Sequence, residues 1–114
     1  MNKKSKIVLL DEPTSQIDSQ TQKRVLKNLF SIYHDSTVLM IAHRLETAVQ
    51  FSDRILVLDQ GRMVEFDHPF KLLAESISDE EITRDDTVFS QMVRALNEAQ
   101  QQRIFNKAKT RYVK

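Results

Sequence analysis

The chain has 114 residues, of which 40% are hydrophobic, enough for one small domain with a modest core. It contains no cysteine, so disulfides and thiolate metal sites are excluded, and its formal net charge of +1 argues neither for nor against a nucleic-acid partner. No apolar run approaches the ~20 residues that a membrane-spanning helix needs, and the run behind the basic N-terminus is too short for a signal peptide.

The first predicted element is a strand at residues 7–10, a continuous apolar run typical of a strand buried on both faces of a parallel sheet. Asp11 and Glu12 follow, and Pro13 ends the strand. Ligands of open α/β sheets bind at the carboxyl ends of the strands. Carboxylates there can hold Mg²⁺ and orient or deprotonate an attacking water. Taken alone, the pair is better explained by an ordinary acidic turn after a core strand.

A helix and a second strand are predicted next. Apolar residues recur at helical spacing over residues 19–33, and this amphipathic helix is expected to pack on the sheet. The β-branched, apolar residues 37–42 indicate another buried strand. His43 follows it, so it is expected beside Asp11 and Glu12 if the two strands are neighbours.

The next stretch predicts a short helix and a hairpin. The helix runs from Leu45 to Ser52, and strands are predicted at 55–58 and 63–66. Gly61, in the turn between these strands, is expected to supply a positive φ angle. The alternation of apolar and polar residues in the second strand is typical of a sheet edge.

The last third is predicted to be helical and polar. Pro69 is placed to start a helix that ends near Glu75, and residues 76–86 are expected to form a solvated acidic connector. One final helix is expected from Thr87, followed by a solvated basic tail. His34 and His68 have no partners at metal-ligand spacing and are assigned to the surface.

Three motifs in fixed order resemble those of ABC-type ATPases. Residues 7–18, Ile-Val-Leu-Leu-Asp-Glu-Pro-Thr-Ser-Gln-Ile-Asp, resemble a Walker B motif with its D-loop. Residues 38–45, Val-Leu-Met-Ile-Ala-His-Arg-Leu, resemble the H-loop. The hairpin at 52–67, which ends Val-Glu-Phe-Asp, is most similar to the multidrug-resistance-associated (subfamily C) exporters. The resemblance covers residues from about 5 to 97.

The resemblance implies roles for four residues, with ATP and Mg²⁺ as substrate and metal. Glu12 is expected to activate water, Asp11 to hold Mg²⁺ through water, His43 to contact the γ-phosphate, and Asp18 of the D-loop to couple two nucleotide sites across a dimer. The Walker A phosphate-binding loop and the ABC signature each need two glycines, and the chain has only Gly61. Both motifs are therefore absent, as is the Q-loop, and the chain is expected to be inactive in isolation.

The implied fold is α/β, the C-terminal portion of a P-loop NTPase domain with parallel strands, flanking helices, an edge hairpin, a C-terminal helix and an incomplete sheet. Residues 1–75 are assigned to the ATPase domain, 76–86 to the connector, and 87–114 to the C-terminal helix and basic tail. Expected partners are the N-terminal part of the same domain, a second nucleotide-binding domain and transmembrane domains, at the cytoplasmic face of a membrane. Met1 is then interpreted as a possible internal residue of a longer protein.

Two alternatives remain open from the sequence. A soluble ABC-type ATPase of DNA repair or chromosome maintenance also carries a Walker B motif, a D-loop and an H-loop histidine. The hairpin sequence and the lack of basic patches outside the tail argue against such a DNA-associated ATPase, and no nucleic-acid partner is expected. A non-catalytic remnant that associates with an intact subunit is the other alternative.

Overall fold

The computed structural model describes residues 7–11 and 19–114. Glu12 and Asp18 lie outside the described residues. The helices and strands, in chain order, are β1 (Ile7–Asp11), α1 (Ser19–Ile32), β2 (Thr37–Ile41), α2 (Leu45–Phe51), β3 (Ile55–Asp59), β4 (Arg62–Asp67), α3 (Pro69–Leu73), α4 (Val88–Arg94) and α5 (Glu98–Val113). The alternation of strands and helices confirms the predicted α/β class.

The chain divides into two compact units, residues 1–43 and residues 44–114. In the first unit, β1 and β2 are parallel neighbours, with Ile7 opposite Thr37 and Asp11 opposite Ile41. A parallel pair needs a crossover connection, and α1 lies in it. The register brings the carboxyl ends of both strands to the same edge.

The apolar sequences of β1 and β2 are typical of buried strands, but neither strand is buried on both faces in the described structure. Exposed and half-buried residues alternate along each strand, and Ile7 and Leu9 are 77% and 65% exposed. Leu39 and Ile41 of β2 are exposed as well. Within the described residues this sheet has two strands, and one of its faces is apolar and open to solvent. Such exposed apolar surface is what the incomplete sheet predicts.

The second unit has its own hydrophobic core. One face of the β3–β4 hairpin packs against helices through Ile55 and Val57, which are both buried. The helices contribute aliphatic and aromatic side chains to the same cluster. The buried members are Ala48, Val49, Ile55, Val57, Phe70, Leu72, Leu73, Ala74, Phe89, Val93, Ile104, Phe105 and Ala108. The outer hairpin face is apolar but exposed, with Leu56 opposite Phe66 and Leu58 opposite Met63.

The hairpin turn has two consecutive residues with positive φ. Gly61 has φ +78°, which confirms its predicted role, and Gln60 has φ +53°, which the sequence did not predict. Two positive φ angles at the turn match the right-handed twist of the flanking strands. The pairing also shifts between Val57 and Leu58, so that Val57 lies opposite Glu65 and Leu58 opposite Met63.

The connector at 76–86 is largely exposed, as its composition predicts, but hydrogen bonds hold its backbone. Leu73 O accepts hydrogen bonds from the backbone amides of Thr83 and Arg84, at 3.0 and 3.1 Å. The carboxylate of Asp79 accepts bonds from the Thr83 hydroxyl and from the backbone amides of Glu75 and Ser76, and these bonds, that of Thr83 most, hold the pKa of Asp79 below its ordinary value. Ile82 packs against the core. Local side-chain to backbone bonds therefore fix this segment despite its acidic composition.

The predictions of a single C-terminal helix and of a solvated tail are wrong. The chain forms α4 and α5 instead, separated at Ala95–Asn97, and α5 includes the basic residues assigned to the tail. Asn97 begins α5 because its side chain accepts a bond from Gln100 N at 2.8 Å, in a reciprocal capping box. Ile104, Phe105 and Ala108 are buried on one face of α5.

Candidate functional site

The described part of the candidate site lies at the carboxyl edge of the β1–β2 pair. Asp11 is the last residue of β1, and His43 stands two residues after the end of β2. His43 Nε2 lies 2.9 Å from Asp11 Oδ1. The predicted meeting of these two residues at one sheet edge is therefore present in the first unit.

The contact defines the proton position on the imidazole. An ionised carboxylate only accepts hydrogen bonds, so His43 Nε2 carries a proton and donates it toward Oδ1. Both side chains are largely accessible, with 63% of His43 and 72% of Asp11 exposed. The edge therefore holds a hydrogen-bonded imidazole and carboxylate that remain accessible to solvent.

The donor set fits a metal that keeps much of its water. Among residues 7–11 and 19–114, no group of three or more His, Cys, Asp or Glu side chains is arranged to hold a metal ion. Mg²⁺ does not need such a cage, because it is usually bound through one or two carboxylates, waters and the phosphates of a substrate. The exposed carboxylate of Asp11, at a strand end, has this character.

Glu12 and Asp18 were predicted as parts of the same site, and the described residues do not include them. Of the other histidines, His34 is exposed, and its ring lies 3.3 Å from Asp35. His68 is half-buried, so its assignment to the surface is wrong. It caps α3, because its Nδ1 accepts a hydrogen bond from Phe70 N at 3.0 Å.

Several residues whose contacts hold the second unit together were not identified from the sequence. The Glu65 carboxylate accepts bonds from Val88 N and Phe89 N, which ties β4 to the start of α4. The buried Thr87 hydroxyl donates to Leu72 O at 2.7 Å and accepts from Ser90 N. The Asn97-x-x-Gln100 spacing is a capping-box signal that could have located α5. No local sequence signal indicates the contact of Glu65, because its partners lie more than twenty residues away along the chain.

No family model matches the chain. Individual proteins do match. Human "ATP-binding cassette sub-family C member 4" is 35% identical over 112 residues, 98% of this chain. "Putative ABC transporter C family member 15" of Arabidopsis thaliana is 41% identical over 92 residues, 81% of the chain. "Metal resistance protein YCF1" of Saccharomyces cerevisiae is 47% identical over 74 residues, 65% of the chain.

The chain is a homologue of ABC transporters of subfamily C. The resemblance predicted from the three motifs is thereby confirmed. The chain spans only 5% of the length of the yeast relative and 8% of the length of the human and plant relatives. Within the described residues, this ABC-C homologue has no helix with the length and hydropathy required to cross a bilayer.

Proposed function

We propose that the chain is part of the ATP-binding and ATP-hydrolysing domain of an ABC exporter, where hydrolysis drives transport across a membrane. The observation that carries the proposal is the 2.9 Å contact between Asp11 and His43 at the carboxyl ends of neighbouring parallel strands. The subfamily C relatives supply the family context. Adjacent strand ends can present several polar groups to one phosphate, and phosphoryl transfer depends mainly on such positioning.

Each residue has a distinct proposed task. Asp11 would hold Mg²⁺ through water, and the bound ion would neutralise charge on the phosphates. Glu12 would orient the attacking water and accept its proton. His43 would donate its Nε2–H to a γ-phosphate oxygen, replacing the bond to Asp11, and would sense whether ATP is intact. Asp18 would couple this site to a second nucleotide site.

The exposed apolar faces support an assembly with other parts of a larger protein. One face of the β1–β2 pair exposes Ile7, Leu9 and Leu39, and the outer hairpin face exposes Leu58 and Phe66. The proposed partners are the N-terminal part of the same ATPase domain, which would cover such faces, a second nucleotide-binding domain and transmembrane domains. The proposed place of the assembly is the cytoplasmic face of a membrane.

The exposed faces also predict that the isolated chain self-associates. Contiguous apolar patches of this kind promote association in water. In analytical ultracentrifugation, Leu9→Lys combined with Leu58→Lys should raise the monomer fraction, whereas Glu81→Lys, at an already exposed polar position, should not. A monodisperse wild-type monomer with one sharp cooperative melt would contradict the proposed dependence on further protein.

A chimeric transporter tests the catalytic assignment. This chain would replace the 112 aligned residues of human sub-family C member 4, so that the relative supplies the phosphate-binding loop and signature. Glu12→Gln or His43→Ala in the chimera is expected to lower ATP turnover by about 100-fold or more, since groups that act directly on the reacting atoms typically contribute this much. Glu81→Gln and His34→Ala are the matched controls and should leave turnover within about twofold.

The outcomes separate the proposal from its alternatives. Turnover that is insensitive to both Glu12→Gln and His43→Ala would contradict the proposed roles. A chimera that binds ATP without hydrolysing it would favour the non-catalytic remnant. The isolated chain should show no appreciable hydrolysis, because groups that grip the phosphates are absent from its sequence. If the isolated chain hydrolyses ATP and Glu12→Gln abolishes this activity, the expectation that the chain is inactive alone is wrong.

A further inference from the structure

His68 occupies the junction between β4 and α3 in the second unit. Its backbone N–H donates to the Asp67 carboxylate at 2.7 Å, and its ring Nδ1 accepts from Phe70 N at 3.0 Å. The second bond makes His68 the N-cap of α3. Histidine is not among the preferred N-cap residues, and its ring, unlike the side chains of serine or asparagine, can gain a proton near neutral pH.

The capping bond requires neutral histidine. A neutral imidazole has one protonated and one unprotonated nitrogen, and only the unprotonated nitrogen accepts a hydrogen bond. Since Nδ1 accepts from Phe70 N–H, the ring proton is on Nε2. An imidazolium carries protons on both nitrogens, so protonation would place two N–H groups against each other. The cap therefore cannot persist in the protonated ring.

The same ring contacts the last turn of α5. The rings of His68 and Tyr112 meet edge to face, with centroids 5.1 Å apart. Tyr112 also stacks on Phe70, with centroids 5.0 Å apart, and Phe70 contacts Phe105 at 5.6 Å. The start of α3 and the C-terminal end of α5 thus share one aromatic cluster, and the conformation of His68 affects both.

The charged groups around the ring come from the neighbouring elements. Burial lowers the pKa of His68 most, and the Arg111 guanidinium of α5 lowers it further, as does Arg54 to a smaller extent. The carboxylates of Asp53 and Asp67 act in the opposite direction. The balance favours the neutral ring, the form that the capping geometry requires.

We propose that His68 is a proton-sensitive latch that joins the start of α3 to the last turn of α5 and opens when its ring is protonated. The latch is closed at neutral pH, with Phe70 N–H capped and Tyr112 packed against the ring. Acidification removes the cap acceptor and introduces a positive charge near Arg111. The first turn of α3 and the last turn of α5 then loosen together.

Nuclear magnetic resonance on the full chain tests the latch. The ring signals of His68, the Tyr112 ring signals and hydrogen exchange of the Phe70 amide would be followed from pH 7.5 to 5. The His68 ring should titrate at a lower pH than an ordinary histidine side chain, because burial lowers its pKa. Corrected for the intrinsic effect of pH, exchange at the Phe70 amide should rise about fivefold as His68 protonates, the change expected when an N-cap bond is lost.

Two variants distinguish the latch from a passive histidine. His68→Asn keeps a side-chain acceptor that does not titrate, so Phe70 exchange should stay slow and the Tyr112 signals constant across this pH range. His68→Ala removes the acceptor and should give fast Phe70 exchange at every pH. If titration of His68 leaves Phe70 exchange unchanged, or if His68→Asn retains the full pH dependence, the proposal is overturned. Should His68→Ala fail to fold, the wild-type and His68→Asn results still decide.

Discussion

The two strand pairs in the described part of the chain have similar size and opposite surroundings. The parallel β1–β2 pair carries the candidate chemistry, and one of its faces exposes Ile7, Leu9 and Leu39 to solvent. The antiparallel β3–β4 hairpin carries no candidate catalytic residue, yet Ile55 and Val57 are buried in a shared core. Apolar strand composition alone therefore does not determine burial, which depends on the elements that are present to cover each face.

The two strand pairs also differ in whether neighbouring helices of the same unit stabilise them. Isolated two-stranded sheets are at best marginally stable in water. The hairpin is stabilised further because it packs against helices of the same compact unit, namely α2, α3, α4 and α5. In the proposed function, the β1–β2 pair obtains the equivalent cover from a larger ATPase domain. The pair with the chemistry would then depend on assembly, and the hairpin would not.

A matched substitution of isoleucine tests this comparison most strongly. Ile55→Ala should destabilise the second unit by about 3 kcal/mol, because it removes buried methyl groups and leaves a cavity. Ile7→Ala, at a position that is 77% exposed, should change the stability of the first unit by less than about 0.5 kcal/mol. Amide hydrogen exchange along β1 and β3 reports on the two units separately. Equal losses in both strands would contradict the contrast in packing.

The link between the hairpin and α4 can be weakened without creating a cavity. Glu65→Gln keeps the shape of the side chain but leaves one acceptor oxygen for two backbone amides, because the other carboxylate oxygen becomes an NH2 donor. One bond is lost and the other becomes a weaker, neutral bond, so we expect a loss of about 2 kcal/mol. Urea unfolding followed by circular dichroism would measure it, with exposed Glu81→Gln as the control. If the control loses as much stability as Glu65→Gln, general charge rather than this bond accounts for the effect.

The turn that closes the hairpin provides a smaller test. Gly61 has φ +78°, and no atom lies within 4 Å of a Cβ built there, so space is available but the backbone conformation is unfavourable for other residues. Gly61→Ala should therefore cost about 1 kcal/mol through backbone strain alone. The loss should appear as faster exchange of the β3 and β4 amides, with β1 unaffected. Faster exchange in β1 as well would show that the strand pairs are not independent.

Most strands and helices could be predicted because their determinants are local. Apolar runs and polar breaks located β1, α1 and β2, and the resemblance supplied the order of Asp11 and His43. The exposure of β1 could not be read from its own residues, because burial depends on which elements cover each face of a strand and a local pattern does not specify them. The start of α4 was predicted, but α5 was missed because the small Ala108 and the aromatic Phe105 complete an apolar face that large residues alone do not show. The cap at His68 was missed although its bond to Phe70 N is local, because histidine is not among the preferred N-cap residues.

The smallest expected effect is a gain in stability at the same turn. Gln60 has φ +53°, a conformation that is strained for a residue with a Cβ and accessible to glycine. Gln60→Gly relieves this strain but adds flexibility to the unfolded chain, so the net gain should be about 0.5 kcal/mol. Urea unfolding should show a higher midpoint with an unchanged slope. Gln91→Gly, in the interior of α4, is the opposite control and should lose stability, because glycine is unfavourable within a helix. A loss in both variants would mean that the Gln60 side chain contributes more through its contacts than its backbone conformation costs.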